Sequence, residues 1–237
     1  MTDVLPTKWT RQAIRALAIH SKDNRVGLFY RNTPVTTPNG HWISHTKRDI
    51  IHAILREAWM TGTLDVTDLN YYSLYATQHD LLAESFPEFM QSVPHIISHH
   101  DITLHRSPGP EQIEQVWAWR TVVDWLKTHQ CMLPNGAQRP DARLLDAVTQ
   151  ALQALHPAQQ SAVLTLYSNH RASLLMVLML VLGQCTAEEY ADALLVASVA
   201  DHPVFGGTDT KAYTKEMRVL MRDAQIIVDY CTIMMRK

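Results

Sequence analysis

Phe29-Tyr-Arg-Asn-Thr-Pro-Val-Thr-Thr-Pro38 places apolar residues on both sides of Arg31-Asn32, with a proline at position 34. Asparagine tolerates the left-handed backbone that a tight turn requires, so this segment predicts a strand, a two-residue reversal and a second strand. Upstream, Ile14 to Ile19 is expected to form an earlier strand and Ser21-Lys-Asp-Asn24 a turn. The first part of the chain is therefore predicted to be a small antiparallel sheet.

After Asn39-Gly40 the spacing of apolar residues becomes helical. Thr46 with Asp49 resembles a capping box at the start of a helix. We expect a second helix to start at Thr77 and one long helix to run from Gln159 to Leu182. Strands are expected only in about the first forty-five residues, with helices for nearly everything after them.

The proline-rich segment Ser107-Pro-Gly-Pro110 is the clearest break in the chain. The predicted fold class is therefore α+β, with two domains. Residues 1–108 are expected to form a small N-terminal β-hairpin/helix domain, and residues 109–237 an all-α helical bundle domain. A length of 237 residues is enough to bury a substantial core.

The composition is that of an ordinary globular protein, with 46 % hydrophobic and 19 % charged residues. The net charge of -2 gives no general electrostatic reason to expect nucleic acid or an anionic membrane as partner. The longest unbroken apolar run, Leu174 to Leu182, has nine residues. Because a bilayer requires about twenty, this run predicts a buried helix and no membrane span.

The three cysteines, Cys131, Cys185 and Cys231, are far apart and form no paired motif. This usage suits a reducing compartment with free, mostly buried thiols. The start of the chain also lacks the long apolar stretch of a secretory signal. A soluble cytoplasmic protein is the default expectation.

The densest set of possible metal ligands is His95, His99, His100 and His105. On a helix His95 and His99 would share a face, as zinc-binding pairs often do, but the glutamate of a zinc hydrolase is absent. Asp201-His202 is a weak candidate for a catalytic dyad. We expect no catalytic residue, no metal and no cofactor.

Three tryptophans, Trp117, Trp119 and Trp125, lie in one predicted helix. Positions 117 and 119 are about 200° apart at 3.6 residues per turn, so these two indoles cannot face the same side. At least one is expected near a surface or an inter-domain seam, where indoles often mark contact sites. The open alternative is a core helix wedged between the two domains.

The order of these signals resembles the ATP synthase α-subunit assembly chaperones (the ATP-twelve family) of mitochondria and alphaproteobacteria. Thr33-Pro-Val-Thr-Thr-Pro38 is similar to the Arg-Pro-Val-Arg-Thr-Pro that follows the family's hairpin turn, and Asp101-Ile-Thr-Leu-His-Arg106 to its Asp-Leu-Leu-x-Tyr-Arg segment. Gln115, Trp119, Asp124 and Trp125 match its Gln-x-x-x-Trp followed by Asp-Trp.

The C-terminal part continues the resemblance. Ser173 to Leu182, Gly183 and Thr186-Ala-Glu-Glu189 resemble the family's serine-containing apolar helix, glycine and acidic helix start. The resemblance implies a molecular chaperone for assembly of the F-type ATP synthase catalytic head, which binds the unassembled α subunit on the apolar surface later taken by the β subunit. It implies a cytoplasmic location in a bacterium, and the mitochondrial matrix or the inner-membrane surface in a eukaryote.

The resemblance also suggests contact residues. The family places a functional acidic segment where this chain has residues 200–207. The candidate partner-binding residues are therefore Asp201, His202, Val204 and Phe205, together with Trp119 and Trp125. Because Val204 and Phe205 are apolar, we expect binding to depend only weakly on salt.

Two other functions remain open at this stage. One is a non-catalytic structural subunit or scaffold that reuses the chaperone fold, and the other is a small metal-dependent enzyme that uses His95, His99 and His100. Metal analysis of the purified protein would identify the enzyme. A chaperone should be absent from the finished complex, whereas a structural subunit should remain in it.

Overall fold

The computed structural model of the chain describes residues 5–6, 9–104, 111–131, 140–171, 173–201 and 210–236. Within these residues, the strands lie between positions 17 and 45, and helices make up nearly all of the chain after residue 47. The predicted α+β class, with strands confined to the start of the chain, is confirmed.

The N-terminal sheet is antiparallel and centred on its second strand, which pairs with the other three. A short helix precedes it, because the Thr10 hydroxyl accepts a hydrogen bond from the Ala13 N–H at 3.3 Å and so caps a helical turn. Ile14 lies in this helix, so the predicted start of the first strand was wrong. The elements are α1 (Arg11–Arg15), β1 (Leu17–Lys22), β2 (Arg25–Tyr30), β3 (Thr33–Pro34) and β4 (Ser44–His45).

Both predicted turns are present, but the first is shorter than predicted because Ser21 and Lys22 belong to β1. Asp23 and Asn24 join β1 to β2 with φ angles of 51° and 59°, as a two-residue hairpin turn requires. Arg31 and Asn32 join β2 to β3. The left-handed residue there is Arg31, with φ 55°, and its guanidinium carbon lies 5.3 Å from the centre of the Tyr30 ring. A cation–π contact therefore accompanies the unfavourable backbone of Arg31.

Ten α-helices come after the sheet in the described part of the chain. A π-helical turn at Thr77–Leu81 joins the second of them directly to the third. The helices are α2 (Arg48–Thr61), α3 (Tyr71–Ala76), α4 (Leu82–His99), α5 (Glu111–Ala118), α6 (Arg120–Thr128), α7 (Ala142–Gln153), α8 (Pro157–His170), α9 (Leu174–Val181), α10 (Ala187–Asp201) and α11 (Thr210–Met235).

Two predicted helix starts were wrong. Helix α2 begins at Arg48 without a side-chain cap, and the Lys47 N–H instead donates to His45 Nδ1 at 2.9 Å. Thr46 therefore does not cap it. Thr77 lies in the π-helical turn, because α3 already begins at Tyr71, where Asn70 and Ser73 satisfy each other's backbone N–H groups.

The long helix predicted from Gln159 to Leu182 is two helices. Helix α8 ends at His170, and its C-cap Arg171 has a left-handed φ of 48°. Ser173 then caps α9 by accepting from the Met176 N–H at 3.0 Å. A serine at this position offers the backbone an alternative to a continuous helix. The apolar run still forms a buried helix, as predicted, since every residue of α9 is buried.

The buried apolar side chains of the described residues form one contiguous cluster. One side of the sheet contributes Leu28, Val35 and Ile43, which are fully buried. Helix α2 adds Ile50, Ile51, Ile54, Leu55 and Ala58, the helical stripe that the sequence contains after residue 46. Among all the residues that the structure describes, no helix has the combined length and apolarity needed to cross a membrane.

A buried carboxylate joins the end of the N-terminal half to α9. Asp101 accepts hydrogen bonds from the Thr103 N–H (3.1 Å) and hydroxyl (2.6 Å), the Ser173 hydroxyl (2.9 Å) and the Leu175 N–H (2.9 Å). Burial raises the pKa of Asp101, and these four donors oppose that effect. Two segments of the sequence resemblance, one containing Asp101 and one containing Ser173, thus meet at this cluster.

The last helix closes against the first half of the chain. Lys47 Nζ donates to the backbone oxygens of Met234 and Arg236 at the end of α11. The Tyr230 hydroxyl donates to Gln78 Oε1 at 2.7 Å. The predicted domain junction, by contrast, lies within residues 105–110, outside the described residues, so the division at 108 stays a prediction.

Glu57 produces a pH dependence that can be measured. Its carboxylate accepts from the Tyr71 N–H at 2.8 Å, and burial raises its pKa from 4.5 to about 7. A raised pKa means that the folded state holds a proton that the unfolded state releases. The stability from this group is therefore present below about pH 4.5 and lost as the pH rises through about 7.

We expect Glu57→Gln, which mimics the protonated acid, to flatten the pH dependence of unfolding in that window. The measurement is urea unfolding at several pH values between about 4.5 and 7, followed by tryptophan fluorescence. The exposed Glu84 is the matched control, and Glu84→Gln should keep the wild-type slope. An unchanged slope in Glu57→Gln would contradict the assignment.

Candidate functional site

The single helix predicted to carry the three tryptophans was wrong, because the structure has two helices there. Trp117 lies in α5, Trp119 lies at the break between the helices, and Trp125 lies in α6. Trp119 is only 1 % exposed, and its indole N–H donates to the Ala193 backbone oxygen of α10 at 3.0 Å. Trp117 is 68 % exposed. The prediction that the two indoles face different ways, with at least one at a surface, is confirmed.

A cleft of about 280 Å³ opens beside the exposed indole. One wall comes from the α5–α6 junction and the other from α10, which the buried Trp119 holds in place. Its lining mixes apolar and charged side chains: Trp117, Ala118, Arg120, Thr121, Glu189, Asp192 and Val196. An apolar anchor with a charged rim is typical of a protein contact surface.

The Arg120–Glu189 ion pair crosses between the two walls. Glu189 also accepts from the Thr186 N–H at 2.9 Å, and its own N–H donates to the Thr186 hydroxyl at 3.1 Å. These reciprocal bonds form a capping box at the start of α10. The Thr186 N–H first, and then the Arg120 guanidinium, hold the pKa of Glu189 below its usual range.

A second cleft, of about 490 Å³, lies on the other side of this ion pair. Trp125 forms part of its lining and stacks on His129, with ring centres 4.0 Å apart. Arg120 and Glu189 line both clefts. Trp117 and Trp125 therefore line two clefts that share this ion pair, whereas Trp119 is buried.

Asp192, which lines the first cleft, has a raised pKa. Burial raises its pKa, and the neighbouring carboxylates of Glu188 and Glu189 raise it further. Three carboxyl groups thus lie within five residues of α10, and one of them, Glu189, is paired with Arg120.

The remaining predicted contact residues lie at and beyond the end of α10. Asp201 is the last residue of this helix, on which Glu189, Asp192 and Val196 line the cleft. His202, Val204 and Phe205 lie outside the described residues. Their role as contacts stays a prediction.

The histidine cluster lies on the exposed end of α4. The Nε2 atoms of His95 and His100 are 3.1 Å apart, and the ring centres of His95 and His99 are 4.8 Å apart. In the part of the chain that the structure describes, no group of three or more His, Cys, Asp or Glu side chains is placed to hold a metal ion. No geometry among these described histidines favours the metal-dependent enzyme.

The cysteines are buried, as predicted. Burial raises the pKa of Cys131, and it raises the pKa values of Cys185 and Cys231 to about 12. A nucleophilic thiol requires the opposite shift, because the thiolate is the reactive form. These thiols are suited to packing rather than to catalysis.

Solved structures share this fold across nearly the whole chain. The structure of Atp12 from Paracoccus denitrificans matches with a TM-score of 0.71 at 15 % identity, over 92 % of this chain and 95 % of that chain. A mutant form of P. denitrificans Atp12p gives a TM-score of 0.70 at 16 % identity, over 91 % and 95 %.

A protein of Agrobacterium tumefaciens, described as a candidate chaperone, matches with a TM-score of 0.70 at 18 % identity, over 90 % of this chain and 83 % of that chain. No family model matches the sequence, and neither does any curated protein. The structural agreement shows that this chain has an Atp12-like fold, although its sequence is at most 18 % identical to these neighbours.

Proposed function

We propose that this protein is a non-catalytic assembly chaperone of the F-type ATP synthase that holds the unassembled α subunit. The observation that carries the proposal is the fold shared with Atp12 over 92 % of this chain and 95 % of that one. The sequence motifs that resemble the α-subunit chaperones support it, because two of them meet at the Asp101–Ser173 hydrogen bond.

The face that carries the two clefts is the proposed contact surface. The exposed indole of Trp117 supplies an apolar anchor of the kind that dominates protein contacts. Trp119 supports it from behind through the bond to the Ala193 oxygen, and Trp125 lines the neighbouring cleft. A single exposed anchor with a charged rim suits the modest affinity that a chaperone needs in order to release its client.

The proposed surface continues along α10 to the segment beyond it. Asp201 ends the helix whose earlier turns line the first cleft. His202, Val204 and Phe205 are the next candidate contacts along the chain. We propose that this segment and the Trp117 cleft bind the same client.

The test uses purified α subunit that aggregates on dilution from denaturant, followed by light scattering. At equimolar ratio the wild-type protein should suppress scattering and co-elute with the α subunit on a sizing column. Trp117→Ala should weaken binding about thirtyfold, since loss of a tryptophan anchor costs about 2 kcal/mol. Its thermal midpoint should stay at the wild-type value, because the indole is 68 % exposed.

Met235, 43 % exposed on α11 and remote from the clefts in sequence, supplies the matched control. Met235→Ala should suppress aggregation as the wild type does. No suppression and no co-elution by the wild type would defeat the chaperone proposal. If Trp117→Ala suppressed aggregation as well as the wild type does, the chaperone proposal would stand, but the contact surface would lie elsewhere on the molecule.

A further inference from the structure

A separate groove lies near the other end of the sequence, between α1 and the end of α2. Its volume is about 560 Å³. Its lining combines two arginines with a large apolar pair: Arg11, Ile14, Arg15, Trp59, Met60 and Gly62. None of these residues belongs to the clefts beside Trp117.

The apolar pair at the groove is unusually exposed. Trp59 is 56 % and Met60 is 79 % exposed. The Trp59 indole N–H donates to the backbone oxygen of Ile14 at 3.2 Å, so the ring is fixed between α1 and α2. An aromatic ring that is held in place loses little conformational entropy when it becomes covered, which is the property of a binding anchor.

The two arginines flank this pair. Both are exposed, and neither makes an ion pair within the described residues. Gly62 has a left-handed φ of 75°, and a Cβ atom there would approach Arg11 Cγ to 2.7 Å. The stem of Arg11 therefore packs on the end of α2. Arg15 lies one helical turn further along α1.

We propose that this groove binds an acidic amphipathic helix of a partner protein. The apolar face of the partner helix covers Trp59 and Met60. Two carboxylates on one edge of that helix pair with Arg11 and Arg15. Guanidinium groups suit this role, because their planar forks match carboxylates in bidentate geometry. A helix in an apolar groove is also a common mode of peptide recognition.

An anionic membrane is the weaker occupant on physical grounds. Each basic residue near a charged bilayer adds only a small attraction, so two arginines alone would hold the protein weakly at a membrane. The Trp59 indole N–H is bound to Ile14 and is not free for the lipid headgroups. A concave site with two separated cations favours a folded peptide over a flat surface.

This inference does not depend on the proposed chaperone activity. The probe is a labelled synthetic helix about 15 residues long, with leucines on one face and two glutamates four residues apart along its edge. We expect its fluorescence anisotropy to rise with the full-length protein and to fall as salt is added. Arg11→Glu with Arg15→Glu should weaken binding at least about tenfold through lost attraction and new repulsion.

Met60→Ser tests the apolar half of the site without risk to the fold, since Met60 is 79 % exposed. It too should weaken binding of the same peptide. The matched control is Lys215→Glu with Arg218→Glu on α11, an equal charge change that should leave binding unchanged. A peptide with glutamines in place of its glutamates should bind more weakly to the wild type.

Three results would overturn the proposal. The first is the absence of peptide binding, or binding that the Arg11/Arg15 reversal leaves unchanged. The second is binding to vesicles of phosphatidylcholine and phosphatidylserine in place of the peptide, which would assign the groove to a membrane surface. The third is a dimer on a sizing column that the reversal dissociates without any peptide binding, which would assign it to a second copy of the chain.

Discussion

Asp101→Ala should lower the free energy of unfolding by about 3–5 kcal/mol, because it leaves the N–H groups of Thr103 and Leu175 and two hydroxyls without their acceptor. Asp101 is fully buried, so water cannot replace the carboxylate without rearrangement. The measurement is the urea midpoint, with the slope of the transition checked for two-state behaviour. We expect this to be the largest effect of any single polar substitution in the described residues.

The conservative variant Asp101→Asn tests the charge separately. It retains one acceptor oxygen, so the expected loss at neutral pH is smaller, about 1.5–3 kcal/mol. Burial raises the pKa of Asp101, so the stability it provides is full below its ordinary value of 3.8 and is lost as the pH rises through the raised value. The advantage of the wild type over Asp101→Asn should therefore grow as the pH falls.

A neutral-pH stability of Asp101→Asn equal to the wild type would show that the carboxylate is dispensable. Ser173→Ala is the partner experiment. It removes one donor to Asp101 and the cap of α9, and it should cost about 1–2 kcal/mol. If the two residues act as a unit, the double variant should lose less than the sum of the single variants.

The second large effect is expected at Trp119. Trp119→Ala should cost about 3–5 kcal/mol, since it removes a fully buried indole from the seam between α10 and the α5–α6 break. Trp119→Phe keeps most of the volume but leaves the Ala193 oxygen without its donor, and should cost about 1–3 kcal/mol. Trp117→Ala, two residues away, should cost less than about 0.5 kcal/mol.

Variants at Trp117 and Trp119 together distinguish an effect on folding stability from an effect on client contact. Trp119→Phe should weaken client binding only indirectly, by shifting the walls of the cleft. Trp117→Ala should weaken client binding directly, with no loss of stability. Equal destabilisation by Trp117→Ala and Trp119→Ala in urea would contradict the assigned burial. If Trp117→Ala and Trp119→Ala lost client binding to nearly the same extent while both kept wild-type stability, Trp119 would be a direct contact.

Local signals in the sequence were sufficient for much of the fold. The turns at Asp23-Asn24 and Arg31-Asn32 follow from residues adjacent in sequence, and the capping box of Thr186 and Glu189 follows from a spacing of three. The burial of α9 follows from an unbroken apolar run. Each of these depends on neighbours along the chain, which a sequence displays directly.

The features that failed or were missed depend on contacts between distant residues. The break of the predicted long helix at Arg171 is coupled to Ser173, whose hydroxyl binds Asp101, 72 positions earlier. The Arg120–Glu189 pair joins residues 69 positions apart. In each of these pairs, either residue taken alone has the sequence context of an ordinary surface or capping residue. No local pattern indicates that the two residues meet. The mixed cleft beside Trp117 was missed for this reason.

The bonds from Lys47 to Met234 and Arg236 have a consequence for the order of folding during synthesis. Lys47 leaves the ribosome almost 190 positions before its acceptors, as the separations of 187 and 189 show. At roughly 5–20 residues per second, this delay is roughly 10–40 s. Throughout that time the side of α2 and α3 that α11 later covers is open to other nascent chains. We therefore expect this protein to need protection itself until α11 emerges.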